Sequence, residues 1–111
     1  MRFDYRPAFE RVQQTAPELP VYLPSAAHLR WYAPDLVARH LEVAPDGGPS
    51  DLPEDGAWVV VGVRRYGIPG DESEKLRRWL SRRCHLEGSW EGLRFDYRRY
   101  RVELHRCGPA T

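Results

Sequence analysis

Two cysteines in this chain each stand next to a histidine, Cys84 before His85 and Cys107 two residues after His105, and that proximity raises thiol chemistry first. A nucleophilic cysteine needs an imidazole within hydrogen-bond reach. Residues adjacent along a strand, as Cys84 and His85 are, point to opposite faces, so a dyad for that cysteine would have to form between strands. The set His28, His40, Cys84, His85, His105 and Cys107 contains no CxxC or HExxH spacing, so no metal ligand set is expected. Gly67 and Gly70 stand in GIPG, which reads as a turn and not as a phosphate loop. No catalytic residue, cofactor or metal is therefore assigned. A second group, Ser25 and His28 with Arg64, Arg65 and Tyr66, suits ligand binding: paired guanidinium groups match phosphate or carboxylate, and a helix starting at Ser25 would add backbone donors. The plainer alternative is a helix cap and two solvated arginines.

These residues are placed by the elements around them. Pro7 to Thr15 reads as a short helix with Ala8, Phe9 and Val12 on one face. Val21, Tyr22 and Leu23 form a strand bracketed by Pro20 and Pro24. A helix then starts at Ser25 and runs until Pro34 stops it. Arg39 to Val43 is a second strand candidate, and Ala44 to Gly56 is a surface loop rich in Pro, Gly and Asp. Ala57 to Val63 (AWVVVGV) is continuously apolar, as befits a strand covered on both faces, and it belongs at the centre of a sheet. Arg64 to Asp71 leaves that strand, which puts Arg64, Arg65 and Tyr66 beyond its carboxyl end, where open α/β sheets bind ligands. Glu72 to Arg83 is a helix with Leu76, Trp79 and Leu80 inward and Lys75, Arg77, Arg78 and Arg82 outward.

The chain closes with two runs, Cys84 to Trp90 and Tyr100 to Cys107, the second alternating Tyr100, Val102 and Leu104 against Arg101, Glu103 and His105. With no helix between them they pair antiparallel. Pairing His85–Trp90 with Arg101–Arg106 puts position 84 opposite 107, so the two cysteines fall within reach of a disulfide. Closing that loop stabilises by about 3 kcal/mol on the chain-entropy model and implies an oxidising compartment. Two reduced thiols at a hairpin end in the cytosol are the other reading. The element order predicts one α/β domain spanning 1–111: a three-layer sandwich with a mostly parallel, Rossmann-like sheet and a C-terminal antiparallel hairpin.

Composition sets the outer limits. At 111 residues, 41% hydrophobic and 30% charged, the chain is a single globular module with no apolar run long enough to span a bilayer and no signal-peptide core. The net charge of +1 hides an asymmetry: residues 1–56 carry five arginines against nine acids, and residues 57–111 carry twelve basic residues against seven acids. The basic half includes Arg94, Phe95, Tyr97, Arg98, Arg99, Tyr100 and Arg101, whose interleaved arginines and aromatics could stack bases. Strand alternation separates those two residue types onto opposite faces, and the low net charge releases few counterions, so nucleic acid is disfavoured as a partner.

The order of short motifs resembles the soluble C-terminal domain of bacterial integral-membrane glycosyltransferases of the GT-C type, relatives of the protein mannosyltransferases and the aminoarabinose transferase. Those domains often begin with D-x-R-P-A, here Asp4, Tyr5, Arg6, Pro7 and Ala8. A PVYVY…A…LRYYAP unit follows, matched by Pro20 to Leu23, Ala27, Leu29 and Arg30 to Pro34. Then come a WVV strand (Trp58 to Val60), a helix ending in WL (Trp79, Leu80) and a last strand of yRVeLyR type (Tyr100 to Arg106). In such enzymes the catalytic acid lies in a loop between membrane helices, so the resemblance carries over no catalytic residue. It implies a non-catalytic, extracytoplasmic accessory domain that assists substrate or partner recognition. Its partner would be the membrane-embedded remainder of the enzyme or a polyprenyl-phosphate sugar, and a disulfide would fit that location. The alternative is a stand-alone α/β binding module that engages an anionic protein or nucleic-acid partner, cytoplasmic if the chain is complete.

Overall fold

A computed structural model describes residues 4–24, 38–45, 48–49, 52–64, 72–93 and 99–108. Its elements are α1 (Arg6–Thr15), β1 (Val21–Leu23), β2 (Arg39–His40), β3 (Ala57–Arg64), α2 (Glu72–Arg83), β4 (His85–Leu93) and β5 (Arg99–Cys107). The strands form one sheet in the order β2-β1-β3-β5-β4, which puts β3 at the centre, where its continuous apolar run is covered on both faces. The helix expected between Ser25 and Pro34 lies outside the described residues.

The sheet is mixed, and the first expectation to be corrected is its balance. Strand β1 pairs parallel with β2 and β3, whereas β3 with β5 and β5 with β4 are antiparallel. The long antiparallel pairs outweigh the short parallel ones because β1 holds three residues and β2 two. Strand β2 also stops short of Val43. The chain turns back on itself there: Val43 bridges Pro49, and the Ala44 N–H donates to the Gly48 carbonyl at 2.7 Å.

Alternation along β3 builds two cores. Trp58 and Val60 face α1, where they meet Tyr5, Ala8, Phe9 and Val12. Ala57, Val59 and Val61 face α2, where they meet Leu76 and Leu80. Helix α1 follows from its sequence: Pro7 in the first turn carries no N–H to waste, the Asp4 carboxylate accepts from the Arg6 N–H at 3.1 Å, and Ala8, Phe9 and Val12 fall on one face. It is pinned at its end by Trp58, whose indole N–H donates to the Ala16 carbonyl at 3.0 Å in the core.

The loop expected at the surface over residues 44–56 is in part a packing element. Gly48 is buried, and a Cβ built on it would fall 2.6 Å from Trp79 Nε1, so the indole of α2 lies against bare backbone. Val43 and Leu52 also join that cluster. Trp79 is half-buried against this cluster and the Gly48 backbone.

Candidate functional site

The pairing of His85–Trp90 with Arg101–Arg106 holds at its start, with His85 opposite Arg106 and Leu86 opposite His105, and shifts by one residue after a bulge between Leu86 and Gly88. It leaves Cys84 beside Cys107, and the structure joins them in a disulfide with a Cα–Cα distance of 4.6 Å. The bridge ties the C-terminal end of α2 to the last residue of β5.

The polar side of β5 is the face that alternation gives to Arg101, Glu103 and His105. Glu103 and His105 are buried there, because β5 is an inner strand and α2 covers that face. Arg77, expected on the outer face of α2, reaches inward instead. Its Nε donates to Glu103 Oε1 at 3.2 Å and its Nη2 to Oε2 at 3.1 Å. Arg101 Nη2 lies 3.0 Å from Oε2, and His105 Nε2 lies 3.1 Å from Oε1. One carboxylate thus meets two guanidinium groups and an imidazole.

Burial alone would raise the Glu103 pKa, but the His105 hydrogen bond, then the hydrogen bond and charge of Arg77, overcome it and hold the carboxyl at about 2. Such a carboxylate is locked in its ionised form and saturated with donors, which suits a structural latch and not a general base working near neutrality. His105 Nδ1 and Arg101 Nε are buried without a hydrogen-bond partner. The signal that sequence reasoning missed was the pattern R-x-E-x-H on a strand adjacent to the central one. Where an inner strand is covered by a helix, as β5 is at Glu103 and His105, its charges have to be paired.

An open groove of about 800 Å³ lies elsewhere, between α1 and the β1–β2 edge of the sheet. Phe9, Val12 and Val21 form its apolar floor, and Glu10, Gln13 and Arg39 stand among its polar residues. It sits at the amino ends of β1 and β2, the end opposite to the crevice that parallel strand order suggested. Of the residues proposed for that crevice, Ser25, His28, Arg65 and Tyr66 lie outside the described residues. Arg64 is placed by its backbone alone, as the last residue of β3 opposite Tyr100. The arginine-aromatic run is likewise described only from residue 99 onward. There Tyr100 packs with the α1-side core, while Arg101 meets Glu103 on the α2 side.

Among the described residues no group of three or more His, Cys, Asp or Glu is placed to hold a metal ion. No helix among them is long and apolar enough to cross a membrane. No protein-family model, curated protein or solved structure matches this chain.

Proposed function

We propose that this chain is a non-catalytic recognition domain built for an oxidising compartment, and that it serves as the extracytoplasmic accessory domain of a GT-C type membrane glycosyltransferase. The observation that carries the reading is the Cys84–Cys107 disulfide, which staples α2 to β5 and is a bond that reducing cytosol does not maintain. The order of motifs from Asp4 to Arg106 supplies the family side of the proposal. Locking of the Glu103 carboxylate by Arg77 and His105 supports a stabilising and not a catalytic use of the most polar cluster described.

In this reading the helix–sheet–helix layering is a reduced Rossmann-like sandwich. Its anion-binding crevice lies beyond the carboxyl ends of β1 and β3, with Ser25, His28, Arg64, Arg65 and Tyr66 contacting a polyprenyl-phosphate sugar or its acceptor. The test is sugar transfer in membranes containing the full-length protein. An Arg64→Ala, Arg65→Ala double variant should accumulate normally and lose at least about tenfold in transfer, equivalent to about 1.4 kcal/mol of lost anion binding. Transfer at the parental rate would remove the crevice from the proposal.

A further inference from the structure

The groove beside α1 has an edge strand along one side, and the hydrogen-bond direction of that strand bears on what the groove accepts. Leu41 N–H donates to the Leu23 carbonyl at 3.1 Å. In a strand the backbone groups of successive residues alternate between its two sides, so those of His40 turn away from β1, to the outer edge of the sheet formed by the described residues. Among the described residues no strand pairs with that edge.

We infer that the groove binds an extended peptide segment of another polypeptide, which adds as a further strand on β2 and lowers an apolar side chain toward Phe9, Val12 and Val21. Three observations select that occupant. First, the outward N–H and C=O of His40 offer the donor and acceptor that strand addition uses. Second, the α1 wall carries the exposed amides of Gln13 and Gln14, each able to donate and accept, which suits peptide groups more than a phosphate. Third, the acids Glu10 and Glu18 stand in the lining beside Arg6 and Arg39, so no single sign of charge dominates and a polyanion gains little. The size agrees as well. From Arg6 to Gln14 the helix wall rises about 12 Å, the length of three to four extended residues. The inference concerns the opposite end of the sheet from the proposed anion crevice and does not depend on the glycosyltransferase reading.

The experiment is an NMR titration of the oxidised full chain, labelled with nitrogen-15, against a pooled set of acetylated, amidated tetrapeptides alternating Val or Leu with Thr or Gln. Saturable shifts at the His40 amide and at the side-chain amides of Gln13 and Gln14 are expected. N-methylation of the best tetrapeptide, one amide at a time, should weaken binding about fivefold or more at one internal position, the loss of one strand hydrogen bond. A His40→Pro variant, which removes the edge donor and is tolerated on edge strands, should weaken the parent peptide to a similar extent. Absence of shifts up to millimolar peptide would overturn the inference. So would an N-methylated series that binds as tightly as its parent, because the groove would then be taking apolar groups without strand addition. The N-methylated series decides the matter if His40→Pro does not fold.

Discussion

Arg77 on α2 grips Glu103 on β5 through two parallel contacts of 3.2 and 3.1 Å, clamping the helix to the sheet with a charged pair set at the margin of an apolar core. The clamp and the Cys84–Cys107 bridge hold the same helix to the same strand, one through charge and the other through a covalent bond. Leu76 and Leu80 fill the space beneath that helix.

Glu103→Gln should unfold more easily by about 3 kcal/mol at neutral pH, since it leaves two guanidinium groups beside a neutral amide under α2. Urea titration followed by tryptophan fluorescence reads the change directly. A Glu103→Gln, Arg77→Leu double variant should recover part of the loss, as only one guanidinium group then remains there.

Acid should remove the same contribution from the parent chain. The Glu103 carboxyl titrates near 4.5 when unfolded and about 2 when folded, so the unfolded state takes up its proton first as pH falls. The stabilisation is complete above about pH 4.5 and fades as pH falls through 2, amounting in full to about 3 kcal/mol. Unfolding midpoints measured between pH 6 and pH 2 should therefore drop more steeply for the parent than for Glu103→Gln. Parallel curves would separate the latch from the charge on Glu103.

Trp58→Phe should cost about 2–4 kcal/mol. The indole is fully buried, its N–H satisfies the Ala16 carbonyl at the end of α1, and Arg106 lies over its ring at 5.4 Å. Phenylalanine leaves a cavity and removes the shorter of the two hydrogen bonds to the Ala16 carbonyl, which keeps the Leu19 N–H at 3.3 Å. Thermal unfolding measures the loss, and hydrogen exchange should show the last turn of α1 opening first.

Gly108→Ala should destabilise by more than about 1 kcal/mol, although the residue is exposed. Its φ is 148°, and an added Cβ would lie 2.5 Å from the Gly56 Cα, so the methyl group meets backbone that has little room to move. Gly48→Ala should be destabilising for a different reason, because its methyl group would displace the Trp79 ring. Differential scanning calorimetry on the two variants tests both statements.

Much of this fold was legible from local pattern. The run from Ala57 to Val63 marked the central strand, Pro7 marked the first turn of α1, and an antiparallel pairing of His85–Trp90 with Arg101–Arg106 brought Cys84 to Cys107, although the bulge after Leu86 moves Trp90 opposite Val102. What stayed hidden depended on which elements cover which faces. Alternation says that Glu103 and Val102 point opposite ways, but not that α2 closes over the Glu103 side. For the same reason Arg77 looked solvated on the helix surface, and Gly48 looked like an ordinary turn glycine until Trp79 was seen against it. The groove beside α1 was invisible because it arises where two elements distant in sequence diverge.

The most direct measurement is the oxidation state of Cys84 and Cys107 in the compartment where the protein resides. Thiols are trapped in intact cells with a permeant alkylating reagent, and the peptides containing the two cysteines are then identified by mass spectrometry without reduction. The account predicts a Cys84–Cys107 cross-linked peptide pair with little alkylation, in a fraction that external protease reaches once the outer barrier is opened. Alkylated cysteines in a protease-protected fraction would contradict it, and with it the extracytoplasmic role.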